Sequence, residues 1–162
     1  MKRTKIKFSK VSFEQFNNSY DLDDVKERYN EITLPERATT GSAGYDICTP
    51  VDVVLMPGES CTVPTGVRCE MNDEVVMFVF PRSSAGIKKK MVLLNTVGVI
   101  DSDYFHADNE GHIFVAIKNT GTDIITFKAG ERFAQAVFVP FFIGEDDKVS
   151  AVRSGGIGST GK

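Results

Sequence analysis

Three short clusters and a glycine-rich end hold the side chains that can do chemistry. In Phe80-Pro-Arg-Ser-Ser-Ala-Gly-Ile87 an apolar, strand-like run ends in a guanidinium (Arg82), two hydroxyls (Ser83, Ser84) and a small-residue turn at Gly86. A cation, hydroxyls and free amides at one sheet end bind phosphate, although a plain strand-to-turn connection with a surface arginine has the same spelling. Gly98-Val-Ile-Asp-Ser-Asp-Tyr104 carries two carboxylates, Asp101 and Asp103, around a serine. Such a stretch caps a turn, supplies a general base or contacts a metal. Gly41-Ser-Ala-Gly-Tyr-Asp-Ile47 has a lone acid, Asp46, in a segment that otherwise reads as strand. At the end, glycines that free the backbone amides accompany Arg153, Ser159 and Thr160, which is again phosphate-binding chemistry, or else a frayed terminus. Gly156 to Lys162 also fits G-x-x-x-x-G-K, but that loop needs a helix after it and a Ser or Thr after the Lys, and the sequence offers neither.

The elements that must position these groups are mostly strands. Lys5, Ile6, Lys7 and Phe8 alternate with period two, as in a half-solvated strand at a sheet edge. Leu22, Val25, Tyr29 and Ile32 recur at helical spacing and Ser19 can cap them, so the segment 14–32 is expected to hold one short surface helix. From Pro35 onward, short β-branched or aromatic runs alternate with turn residues. The runs 74–80, 112–117, 123–127 and 132–142 are nearly continuous in apolar side chains and read as strands buried on both faces, inside a sandwich or against another subunit. An all-β sandwich, jelly roll or small barrel follows. The expected organisation is one domain over 1–152 and a mobile arm over 153–162, which has too little apolar surface to offset its ordering entropy.

Composition narrows the function. The 162 residues include 19 basic and 22 acidic side chains, a net charge of -3, so no basic excess points to direct nucleic-acid binding. Cys48, Cys61 and Cys69 are odd in number and lack C-x-x-C spacing, and read as buried, reduced thiols. No apolar run approaches the ~18 residues of a membrane span and no signal region follows the basic start, so a cytoplasmic protein is expected.

Taken in order, SAGYDI (42–47), PRSSAG (81–86), GVIDSDY (98–104), GERFAQAVF (130–138) and RSGGIGSTG (153–161) resemble the five motifs of the trimeric dUTPase family. The resemblance implies a jelly-roll-like β-sandwich, a homotrimer with active sites between subunits, and a C-terminal arm that closes over a site built mainly by its neighbours. It implies hydrolysis of dUTP to dUMP and pyrophosphate with Mg²⁺. In this sequence Asp101 matches the residue that holds the 3′-hydroxyl and activates water, and Gln135 a glutamine near the phosphates and that water. Tyr104 matches the ring under the sugar that leaves no room for a 2′-hydroxyl. Asn95 and the Gly98-Val99-Ile100 backbone resemble the hairpin that reads the uracil edge. Arg82, Ser83, Ser84 and Gly86 match the phosphate-binding turn, and Asp46 an acid that meets magnesium through water. Arg153, Gly156, Ile157, Gly158, Ser159 and Thr160 match the lid.

Three departures stand out. Ile157 occupies the place of the usual aromatic lid residue, which forfeits a stacking contact of about 1–3 kcal/mol. After Tyr104, FHADNEGHI replaces the common Arg-Gly turn, and its His106, His112, Asp108 and Glu110 read as a polar loop or as metal ligands. The segment 14–32 looks inserted and puts a regulatory protein partner in play. Two other functions compete: a dCTP deaminase, which needs a glutamate near the pyrimidine where Glu110 is the closest, and a nucleotide-switched binding protein.

Overall fold

A computed structural model describes residues 5–153 and 155, among which the chain forms twelve strands, two short α-helices, a wide helical turn at Ser84–Lys88 and a 3-10 turn at Ser102–His106. The strands are β1 (Ile6–Lys10), β2 (Glu36–Arg37), β3 (Tyr45–Cys48), β4 (Val53–Leu55), β5 (Ser60–Pro64), β6 (Val67–Met71), β7 (Val75–Pro81), β8 (Met91–Leu93), β9 (Gly98–Ile100), β10 (Phe114–Asn119), β11 (Ile125–Phe127) and β12 (Arg132–Pro140). They pair as β1-β6, β5-β10-β8, β11-β4 and β2-β3-β12-β7-β9, every ladder antiparallel. All four sheets feed one core: Phe8 and Met71, Val63 and Ile117, Leu55 and Phe127, Ile47, Met77 and Phe133. The expected β-sandwich is what forms. No described helix is long and apolar enough to cross a membrane.

Burial departs from the expectation in β10, which alternates strictly, with Val115, Ile117 and Asn119 inward and Phe114, Ala116 and Lys118 less buried. In β7, by contrast, Val75, Val76, Met77 and Val79 are all buried. Beyond β12, Phe142 and Ile143 stand exposed. Gly156, Ile157, Gly158, Ser159 and Thr160 of the expected lid lie outside the described residues.

The segment 14–32 corrects the single-helix expectation. It holds two helices, α1 (Phe13–Asn17) and α2 (Val25–Glu31), separated by Asn18–Asp24. Ser12 caps the first, its hydroxyl accepting from the Gln15 amide, and Asp24, not Ser19, stands at the cap of the second. Ser19 instead turns its hydroxyl back onto the Gln15 carbonyl, the local bonding by which serine ends a helix. Nor is the segment an appendage. Phe16 is fully buried in a second core with Val11, Ile32 and Val67, with Tyr20 and Tyr29 packed against it. Gly66, at φ +73, sits so close under Phe16 and Ile32 that a Cβ there would strike them. Only the outer face of α1 and α2 is left for a partner.

His112 joins the same end of the fold. It is fully buried, its Nε2 accepts from the Gly66 amide at 2.8 Å, and its ring edge meets Phe114 at 4.6 Å between centroids. An Nε2 that accepts puts the proton of the neutral ring on Nδ1, beside the Gln15 side-chain amide. Burial pushes the imidazole down from 6.5 to about 4, against a smaller upward pull from Glu110.

Two outcomes follow. Phe16→Ala should cost roughly 3–5 kcal/mol in urea unfolding, as for a fully buried aromatic, whereas a loss under ~1 kcal/mol would mean a detachable segment. For His112, the unfolded chain binds the proton first, so its contribution is fully present above about pH 6.5 and is lost as pH falls toward 4. Between about pH 7 and 4.5 the wild type should lose roughly 2–3 kcal/mol through this group, and His112→Gln should flatten that part of the profile.

Candidate functional site

The phosphate-type residues gather on the outer face of the five-stranded sheet. Asp46 on β3 is buried, with Oδ1 2.9 Å from Nε of Arg82 and Oδ2 3.1 Å from Nη1 of Arg132. One carboxylate thus orients two guanidinium groups, and the cluster keeps one positive charge in excess. Gln135 lies beside Asp46 in the β12-β3 ladder, and its Nε2 donates to the Pro81 carbonyl at 3.2 Å.

A β-bulge makes this alignment. The β12-β3 register shifts between Arg132 and Ala134, so Phe133 and Ala134 are both buried while Arg132 and Gln135, three residues apart, are both less buried on the outer side. Strict alternation would have sent one of the two into the core. Gly44 leaves room for Gln135, since a Cβ there would stand 2.5 Å from its Oε1. Gly44, Asp46, Arg82, Ser83 and Gln135 line an open cleft of about 420 Å³. Ser84 and Gly86 lie on the next wide helical turn, Ser84–Lys88, where the Gly86 amide donates to the Arg82 carbonyl, and neither lines the cleft.

A second concavity, about 350 Å³, opens beside β9 at the other edge of that sheet. Asn95, Gly98, Val99, Ile100, Tyr104 and Arg153 line it, with an apolar wall that includes Phe114 and Val115. Its hairpin tip is strained: the Val97 amide donates to the Asn95 carbonyl at 2.7 Å, a γ-turn that puts Thr96 at φ +66. For a β-branched residue that conformation costs about 1–3 kcal/mol.

Tyr104 is buried to 4% exposure, and its hydroxyl donates to the His112 carbonyl at 2.6 Å. Burial raises the phenol above its ordinary value, offset in part by the Asn109 amide and by Arg153. Asp101 and Asp103 project from the turn that carries Tyr104. Both are exposed, and both meet Nη1 of Arg153 at 3.1 Å, while that guanidinium lies 5.1 Å from the centre of the Tyr104 ring. The described chain beyond β12 thus brings Arg153 over the cavity of the same chain.

Arg132, Gly44 and Thr96 were missed by the reading of the sequence. Arg132 and Gly44 lie inside the quoted motifs but look there like spacers; nothing local marks Thr96. The metal reading of the 106–112 loop does not hold among the described residues, where no three His, Cys, Asp or Glu side chains gather. His112 is internal, and Glu110 bonds to Ser12. All three thiols are free and raised by burial, Cys69 to about 12.

Comparison with known proteins agrees with these motifs. The chain is 43% identical over 133 residues to the deoxyuridine 5′-triphosphate nucleotidohydrolase of Lactococcus lactis, covering 80% of this chain and 89% of that one. The crystal structure of dUTPase from Streptococcus mutans superposes with a TM-score of 0.68 at 37% identity, over 85% of this chain and 98% of the other. A mutant dUTPase of phage phi11 of S. aureus, described as coordinating a structural Mg(II) ion, shares the fold at a TM-score of 0.66 and 22% identity, over 93% and 99%. With the sequence model of the dUTPase family matching residues 30–161, this chain belongs to the dUTPase family.

Proposed function

We propose that the chain hydrolyses dUTP to dUMP and pyrophosphate, limiting uracil entry into DNA and supplying dUMP for thymidylate synthesis in the cytoplasm. The observation that carries this reading is the cavity over Tyr104, edged by hairpin backbone and an apolar wall, with Asp101 beside it and a guanidinium at its mouth. In it Asn95 and the Gly98–Ile100 backbone read the uracil edge, and the Tyr104 ring packs under the deoxyribose. Asp101 holds the 3′-hydroxyl and takes a proton from the attacking water. The water oxygen bonds to the α-phosphorus, and the bond to the bridging oxygen breaks, so pyrophosphate leaves with the electron pair.

Arg82, Ser83, Ser84 and Gly86 contact the phosphates, and Gln135 sits beside them and the water. Cavity and cleft of one chain share no lining residue. That supports a homotrimer in which the nucleoside fills one subunit's cavity while its phosphates reach another's cleft. The lid closes with Arg153, Ser159 and Thr160 on the γ-phosphate, Gly156 and Gly158 allowing close approach, and Ile157 over the base. Moving Arg153 onto phosphate also frees the Asp101 carboxylate to accept its proton.

For magnesium the donor set is sparse: among the described residues there is no cage of three ligating side chains, and both Asp46 oxygens face arginines. That fits an ion carried by the triphosphate and its own waters, with Asp46 meeting it through water. Bound there, Mg²⁺ supplies charge neutralisation to the three phosphates. Deamination of dCTP is disfavoured, since Glu110 is committed to Ser12 and no glutamate lines the cavity.

Pyrophosphate release should be fast with dUTP and slow with dTTP, dCTP and UTP, because a 5-methyl group clashes with a tight uracil pocket and a 2′-hydroxyl with Tyr104. Equal turnover of all four would sink the assignment. Arg153→Ala should lower kcat/KM for dUTP by about 10²-fold, the scale of losing one charge-stabilising donor, while dUMP inhibition changes little. A drop under about threefold would remove Arg153 from the lid.

A further inference from the structure

Tyr104 does not stand on the family fold alone. Its hydroxyl is held twice by the loop that follows it, donating to the His112 carbonyl at 2.6 Å and accepting from Nδ2 of Asn109 at 2.8 Å. The Asn109 side chain is fixed in turn, its Oδ1 accepting from the Gly111 amide at 3.2 Å. Gly111 has φ +70 and packs so tightly that a Cβ there would stand 2.7 Å from both the Phe105 Cα and the Tyr104 carbonyl oxygen. The loop is therefore pressed against the backbone of Tyr104 as well as tied to its hydroxyl.

Long-range contacts on two sides keep this loop closed. Glu110 adopts φ +59, a left-handed conformation that favours glycine, so the turn needs something to hold it. The holding contact is long-range: Oε2 accepts from the Ser12 amide at 2.7 Å and Oε1 from the Ser12 hydroxyl at 2.6 Å. Ser12 is also the cap of α1. From the other side, the Gly66 amide donates to His112 Nε2, and Nη2 of Arg68 donates to the Phe105 carbonyl at 2.6 Å with its guanidinium over the Phe105 ring. Ser12 lies outside the part of the chain that matches the family.

We infer that Asn109 and Glu110 are positioning residues for sugar selection: Glu110, clamped by Ser12 at the cap of α1, and Asn109, bonded to the Tyr104 hydroxyl, hold the Tyr104 ring at the height that excludes a 2′-hydroxyl. This rests on the proposed role of Tyr104 as the floor of the sugar site. Steric exclusion of a single oxygen works only if the excluding ring cannot retreat, and small displacements of a positioned group change rates steeply. Loosening the bracket should admit ribose while leaving Asp101, the phosphate cleft and the deoxyribose contacts in place.

The test is kcat/KM for UTP and dUTP, with thermal unfolding alongside. Glu110→Ala and Asn109→Ala should each raise the UTP-to-dUTP ratio about tenfold, with kcat for dUTP within about threefold of wild type. Glu110→Gln, which keeps one acceptor for Ser12, should recover part of the discrimination. A lowered melting temperature with an unchanged ratio in both alanine variants overturns the inference. If Glu110→Ala does not fold, Asn109→Ala decides alone, because it leaves the Ser12 clamp intact. A wild type that turns over UTP as fast as dUTP would instead overturn the role of Tyr104 itself.

Discussion

The bulge at Phe133 is the constraint from which the proposed phosphate cleft follows. β12 lies between β3 and β7 and must put Phe133 into the core against Phe127, yet offer Arg132 and Gln135 to the opposite face. A period-two strand cannot present residues three apart on one side, so one residue must be spent without a partner. Placing that residue at the core, where a phenylalanine fills volume, turns the irregularity into packing. The register beyond it then sets Gln135 beside Asp46 and brings the Pro81 carbonyl within reach of Gln135.

Asp46 shows why the cleft is charged as it is. A buried carboxylate is tolerated only when paired, and each of its oxygens faces a guanidinium. The same pairs hold Arg82 and Arg132 still in the absence of ligand, so less ordering entropy is lost when a polyanion arrives. Removing the carboxylate would leave two arginines to repel each other and swing away. In the proposed phosphate site, the pairing serves binding through preorganisation more than it serves stability.

Local pattern made the strands legible. Ile6–Phe8 alternate, and β7 and β12 are apolar runs of strand length between turn residues. What depends on distant partners was not. The bulge was hidden because Phe133-Ala134 is simply two more apolar residues in a run. The helix over 14–32 was expected whole because Leu22, Val25, Tyr29 and Ile32 keep helical spacing, yet Leu22 is 41% exposed and lies between the helices, while the burial of Phe16 under Gly66 decides the packing. Asp46 and Asp101 were found by motif, but their arginine partners come from residues 36 to 86 positions away, a separation no local signal reports. The 105–112 loop was the least legible, since its histidine and acids have the composition of a metal site and the geometry of a bracket.

The position of Arg153 bears on how the proposed lid would close. Its pairs with Asp101 and Asp103 involve carboxylates that are 56% exposed, so solvent screens them and their worth is at most about 1 kcal/mol. The ring of Tyr104 beneath the guanidinium adds a contact of similar size at such a site. A contact this weak keeps the start of the arm near the cavity without competing seriously with a triphosphate, whose charge is larger and whose geometry suits a guanidinium fork. A stronger pair would have slowed closure by holding Asp101 occupied; no pair at all would have left the arm to search for its site. In the proposed lid, the exposure of the two carboxylates sets the strength of the resting contact between those two limits.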